Sequence, residues 1–268
     1  MNYWSHKLEF AKEAQLHTDD MEAHHSKEIE ACSKATILYG IPKGISKDVA
    51  TGVQGTNVQM LKTDTVSALF QQSEDSHVVL LNFASYRYPG GKFLHGSSAQ
   101  EESLCHASFL YDVLSRQTAY YAWNNEHLNR GLYKNRALLS PKVRFFYNGK
   151  ERLADVLTCA APNRSCIHYN RFTEEENRQE LHSRIEFISS ILRHDGYTPD
   201  VIILGAFGCG VFAQDAKPSQ ASSARYAIRH PQKSSTPSQT NGTIDRATKF
   251  STHIHEKTRN HHEEIYTI

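Results

Sequence analysis

The chain has 268 residues, 39% of them hydrophobic and 22% charged, with a formal net charge of +1. That is the balance of a globular protein holding one large domain with or without extensions, and it lacks the basic excess that nucleic-acid binding demands. No apolar run approaches a membrane span, and the N-terminal MNYWSHKLEFAKEAQ carries no apolar signal core, so the expectation is an intracellular monomer, cytoplasmic or nuclear.

Residues 1–34 are polar, with Leu8, Phe10, Ala11 and Leu16 scattered among charges, which reads as one or two amphipathic helices packed on the outside. Tyr39 to Gly55 is punctuated by Gly and Pro, hence loop. Val58 to Leu61 is a short strand, and Thr63-Asp64-Thr65 starts a helix whose apolar face is Val66 to Phe70. Val78 to Phe83 has no alternation, as a parallel strand covered on both faces reads.

That strand runs into YPGGKFLHGSSAQEESL, Tyr88 to Leu104, and a helix over Gln100 to Leu114 leads out. Gly90 and Gly91 free the backbone for close approach to a ligand. Ser98 with Glu101 fits a capping box, and Glu101 and Glu102 suit the positive end of the helix dipole. Tyr120 to Lys134 is irregular or helical. Val143 to Tyr147, Asn148-Gly149 and Glu151 onward make a hairpin with a type I′ turn. Asp155 to Cys159 is a second buried strand, ending in AAPN.

Thr173 with Glu176 is another capping box. Leu181, Ile185, Ile188 and Leu192 line one face of the helix that follows, and Gly196 stops it. Val201 to Leu204 is a third buried strand, followed by GAFGCG. The loop Gly205 to Phe212 reads as a plain turn or as an anion nest of backbone N–H groups. Cys32, Cys105, Cys159, Cys166 and Cys209 form no C-x-x-C and suit reduced thiols, with Cys209 a small buried filler. Strands alternating with helices imply an α/β domain with a mixed, largely parallel central sheet flanked by helices. Ligands bind beyond the strand C-terminal ends in such sheets, where these loops lie.

Gly90-Gly91-Lys92 followed by Gln100-Glu101-Glu102, with VLTCAAPN at Val156 to Asn163 and LGAFGCGVF at Leu204 to Phe212, resembles the microbial-type poly(ADP-ribose) glycohydrolases. The resemblance spans Thr56 to Asp215 and implies a macrodomain-like fold and no cofactor or metal. The implied partner is poly(ADP-ribose) or an ADP-ribosylated protein, with neither membrane nor sequence-specific nucleic acid. It makes Glu102 the catalytic acid and Glu101 a ribose-holding or orienting carboxylate. Substrate-binding positions are Asn82, Gly90, Gly91, Gln100, Gly205, Gly208, Cys209, Gly210, Val211 and Phe212. Asn82 otherwise reads as a strand-end cap and Phe212 as a core aromatic. Lys92 departs from a family glycine, and its side chain either meets a phosphate or blocks the loop.

The organisation expected is a helical extension over residues 1–55, the catalytic domain over 56–215 and a polar, disordered tail over 216–268. The tail carries eight basic and four acidic residues and few large apolar ones. The family's last helix and strand then lack a counterpart, and only Lys249 to His255 alternates like a strand. Three readings follow: a glycohydrolase cleaving ribose–ribose bonds to release ADP-ribose, an ADP-ribose-binding module with impaired catalysis, and a defective chain out of register at its C-terminal part.

Overall fold

The computed structural model describes residues 3–40, 59–193, 197–214 and 264–267. Helix α1 (Tyr3–Ala35) is one unbroken element. Its stripe Ala14, Met21, Ile29 and Cys32 is buried in the core, against the turn Phe93–His95, α4 (Leu110–Ser115) and β4 (Ala137–Tyr147). β1 (Ile37–Tyr39) follows it, pairing antiparallel with β4, and only its last residue, Tyr39, falls in the expected loop. Most of the expected Gly/Pro loop, 41–55, lies outside the described residues.

β2 (Gln59–Lys62) leads into α2 (Thr65–Phe70), whose N-cap is Asp64, accepting from Ser67 N at 2.8 Å. β3 (Val78–Phe83) is the centre of a seven-stranded sheet in the order β1-β4-β5-β3-β6-β7-β2, where β5 is Lys150–Cys159, β6 Val201–Leu204 and β7 Glu264–Thr267. The sheet is mixed, as expected, but its parallel part is confined to β3 and its neighbours β5 and β6; every other pair is antiparallel. β3 is buried on both faces: Val78 and Leu80 join the cluster under α1–α4, while Val79 and Leu81 join that of α7 (Glu174–Leu192). Two-sided burial is why this strand shows no alternation.

Local chemistry sets several boundaries. Asn148 and Gly149 have φ 49° and 73°, the positive values a type I′ turn needs, and join β4 to β5. Thr173 and Glu176 close the reciprocal capping box of α7, whose Leu181, Ile185, Ile188 and Leu192 are buried. Gly196, expected to stop it, lies outside the described residues. α5 (Thr118–Glu126) gives the Tyr- and Asn-rich segment its helix, and α6 (Ile167–Asn170) is a single turn.

Two expectations fail near the Gly-rich loop. The helix read over Gln100 to Leu114 is two, α3 (Gln100–His106) and α4. Ser108 breaks it: its hydroxyl donates to Leu104 O and accepts from Leu110 N, while the freed Ala107 carbonyl accepts from Phe146 N at 2.7 Å. A side chain that competes for helix backbone groups ends the element. The Ser98–Glu101 capping box does not form either, since the N-cap is Ala99 and Glu101 is turned elsewhere.

The last strand position, expected to be empty, is filled. β7 lies between β6 and β2, with Tyr266 opposite both Leu204 and Met60. The rest of the 216–268 tail, including Lys249 to His255, lies outside the described residues.

Candidate active site

β3 and α3 set the centre of the site. Gln100 is buried, and its amide is used up on the sheet: Oε1 accepts from Phe83 N at 2.9 Å, while Nε2 donates to Leu81 O at 2.9 Å and Thr65 Oγ1 at 3.2 Å. Gln100 therefore ties the first turn of α3 to the C-terminal end of β3. Asn82, fully buried on β3, donates through Nδ2 to Glu101 Oε1 at 3.4 Å and Thr158 Oγ1 at 3.3 Å. Its Oδ1 is buried without a partner among the described residues, a costly state for a polar atom.

The loop between β3 and α3 holds the two acids from opposite ends. Ser85 N donates to Glu101 Oε2 at 2.6 Å, and Lys92 N donates to Glu102 Oε1 at 2.8 Å. Both carboxyl side chains are almost fully buried, Glu101 at 3% and Glu102 at 5% exposure. Burial pushes the Glu101 carboxyl well above the usual carboxylate range; the Ser85 N–H opposes this and the Glu102 charge adds to it. Burial thus favours the protonated form of Glu101, while the Ser85 N–H and the Asn82 amide pull the other way.

The glycines have steric reasons. Gly91 has φ +61°, and a Cβ there would meet Glu102 Oε1 at 2.6 Å and Glu101 Oε2 at 2.9 Å. At Gly90 a Cβ would meet Tyr111 Cδ2 at 2.7 Å. Lys92, by contrast, has φ −112° and an exposed side chain. A conformation open to any residue, with the ammonium outside, does not block the loop.

A second group gathers after β6, whose parallel pairing with β3 sends both loops out at the same end of the sheet. Phe207 and Phe83 link them with ring centroids 6.0 Å apart. Gly208 has φ +80° and is packed so closely that a Cβ would meet Ala161 Cβ at 2.7 Å and Gln214 Cγ at 2.8 Å. Gly205 is buried and accepts from Phe207 N, while Gly210 stands in open space and Val211 is 77% exposed. Among the described residues the N–H groups of Gly210, Val211 and Phe212 meet no acceptor, which leaves three donors at the tip of the loop. Cys209 is half-buried rather than a buried filler. Phe212 is half-buried and 5.8 Å from the Tyr133 ring, which stacks on Tyr86 at 4.2 Å.

The structure thus brings Asn82, Gly91, Glu101 and Glu102 into direct contact, sets Gly90 behind them, and puts Gly205 to Phe212 alongside. Sequence reasoning missed the supports. Gln214 packs on Gly208 and donates to Pro162 O and Asn177 Oδ1, both at 2.8 Å, tying this loop to the loop after β5 and to α7. Ser85 acts through its backbone, and no pattern marks such a residue. Among the described residues no three His, Cys, Asp or Glu side chains converge as metal ligands. The tail histidines lie outside them. No helix among the described residues is long and apolar enough to cross a membrane.

A family model, the catalytic domain of microbial-type poly(ADP-ribose) glycohydrolase, matches residues 5–148. The crystal structure of poly(ADP-ribose) glycohydrolase from Thermomonospora curvata is similar with a TM-score of 0.66 and 28% identity, covering 81% of this chain and 86% of that one. The same protein bound to the inhibitor ADP-HPD gives 0.65 and 27%, over 81% and 85% of the two chains. The Deinococcus radiodurans glycohydrolase in complex with ADP-ribose gives 0.58 and 25%, over 72% and 81%. No match is found among curated proteins at the sequence level.

Proposed function

The chain belongs to the microbial-type poly(ADP-ribose) glycohydrolase family, and from that premise we propose that it hydrolyses ribose–ribose O-glycosidic bonds of poly(ADP-ribose) and releases ADP-ribose. The observation that carries this is the pair of buried carboxyls at the start of α3, each held by a backbone N–H of the same Gly-rich loop.

In this reading Glu102 is the catalytic residue. Its carboxyl donates a proton to the leaving ribose oxygen as the C1–O bond breaks and positive charge develops at the anomeric carbon. Water then adds to that carbon, giving its proton to the same carboxylate and restoring the acid. Glu101 and Asn82 orient the ribose hydroxyls, with the unpartnered Asn82 Oδ1 accepting one of them. Gly210, Val211 and Phe212 offer N–H donors to the diphosphate. The similar proteins bound to ADP-ribose and to ADP-HPD support the ligand class.

The rival reading is a binding module whose catalysis is impaired through Lys92 or through a missing C-terminal strand. The unstrained backbone at Lys92 and the intact Lys92–Glu102 hydrogen bond favour the enzyme. The test is to incubate the purified chain with labelled poly(ADP-ribose) and resolve the products. Free ADP-ribose accumulating with time is expected. Tight ADP-ribose binding with no release sinks the proposal in favour of the module.

A further inference from the structure

The segment that holds the two acids also exposes a cationic and aromatic rim. Arg87, Tyr88 and Lys92 are all exposed, Tyr88 to 53%. They lie between the two backbone donors, Ser85 N and Lys92 N, or on one of them, so their positions are fixed relative to Glu101 and Glu102. Arg87 is aimed rather than loose: its Nε donates to Asn125 Oδ1 at 2.9 Å, Asn125 Nδ2 donates back to Arg87 O at 3.1 Å, and its Cζ lies 5.3 Å from the Tyr88 ring centroid.

Arg116, Arg130, Arg144 and Arg164 each hold an acid partner. Among the described residues no ion pair includes Arg87 or Lys92. Two unneutralised cations and an exposed phenol ring, one loop away from the acid, complement a ligand that is both anionic and aromatic.

We propose that Arg87, Tyr88 and Lys92 form a subsite for the leaving unit of the polymer, the cations on its diphosphate and Tyr88 against its base. The inference rests on the glycosidase reading of Glu102, because the leaving oxygen belongs to a ribose that carries its own diphosphate. That diphosphate lies one sugar away from the atom Glu102 protonates, and Lys92 N holds that carboxyl. The subsite makes the chain favour polymer over single ADP-ribosyl groups, and it makes that preference depend on salt.

The test compares calorimetric affinities of ADP-ribose and a defined two-unit ADP-ribose oligomer, in a Glu102→Gln background so that the oligomer survives. The two-unit ligand is expected to bind about tenfold more tightly at low salt, with the advantage shrinking as salt rises. The double variant Arg87→Gln/Lys92→Gln is expected to lose most of that advantage and its salt dependence, Tyr88→Ala to lose the salt-independent part, and Lys92→Arg to keep it. Equal affinity for the two ligands, or an advantage that survives the double variant in a folded protein, overturns the subsite. If the chain with Glu102 intact turns over nothing while the Glu102→Gln protein shows the two-unit preference, the activity reading is overturned and the subsite stands.

Discussion

The α-carbon of Gly91 faces the Glu102 carboxyl so closely that a methyl group there would meet Oε1 at 2.6 Å. The same methyl would meet Glu101 Oε2 at 2.9 Å, and φ at this position is +61°. Gly91→Ala is therefore expected to displace both acids while costing the fold only about 1–2 kcal/mol of backbone strain. A displacement of this kind reduces turnover about a hundredfold or more. The measurement is steady-state release of ADP-ribose beside a thermal melt; turnover near the parent's would show that the carboxyls need not sit where Gly91 lets them.

The two acids should respond differently to amide substitution. Glu101→Gln keeps the shape and the acceptor for Ser85 N, and sets its NH2 against Asn82 Nδ2 only at the longer 3.4 Å contact, so a modest loss is expected. Glu102→Gln removes a proton that must move, and loss of a general acid costs on the order of a hundredfold or more. The expected order of kcat is parent, then Glu101→Gln, then far below it Glu102→Gln, with ADP-ribose affinity retained in both. If Glu101→Gln proves as damaging as Glu102→Gln, Glu101 takes part in proton transfer.

Two glycines of the second loop separate in the same way. Gly208 has φ +80° and would drive a Cβ into Ala161 and Gln214, so Gly208→Val is expected to lower the melting temperature. Gly210 has open space around it, and Gly210→Val should leave the melt unchanged while weakening ADP-ribose by covering the adjacent N–H donors. Calorimetry and melting on both variants decide. Unchanged affinity in a well-folded Gly210→Val would make the loop a turn and nothing more.

What the sequence made legible is local. The Thr173–Glu176 box, the Asn148-Gly149 turn and the unbroken apolar run of β3 each depend on neighbours in sequence. What it hid depends on partners far along the chain. Glu101 abandons the cap for Ser85 N, sixteen residues back, and Ser108 breaks its helix while β4 takes the freed carbonyl through Phe146 N. In the site, the residue types were readable, but the division of labour was not. The resemblance groups Gln100 with the binding residues, and only its three contacts to β3 and Thr65 show that its side chain anchors the helix.

Asp112 on α4 gives a pH signature. It is 2% exposed, and burial first, then Glu22 and Asp19, push its carboxyl from 3.8 up to about 7 against the pull of Arg116. The unfolded chain ionises this group near 3.8 and the folded chain only near 7, so its contribution to stability is present below that window and lost as pH rises through it. Asp112→Asn removes the loss. The variant's stability relative to the parent's is expected to climb between pH 4 and 7 and then level off, reaching on the order of 4 kcal/mol. His106, held down to about 4 by burial, titrates in the opposite sense in both proteins and cancels in the difference. A difference that is flat with pH would mean that Asp112 ionises as freely folded as unfolded.

The C-terminal strand offers the last test, because the alternation in the sequence and the sheet disagree about which residues supply it. Lys249 to His255 alternates, but Glu264–Thr267 is what lies between β6 and β2, with Tyr266 opposite Leu204 on one side and Met60 on the other. Alternation marks a strand with one wet face, and a four-residue strand is too short to display it clearly. Proline cannot donate to a ladder and is excluded from interior strands. Tyr266→Pro should therefore unzip β7 from both neighbours and expose two strand edges, lowering the melting temperature by on the order of 5 °C for the ladder bonds lost. ADP-ribose should restore part of it by mass action, since only the folded chain binds it. Ile254→Pro is the matched control within the alternating stretch. A melt lowered by Ile254→Pro and untouched by Tyr266→Pro would move the closing strand to Lys249 to His255 and make the pairing of β7 with β2 wrong.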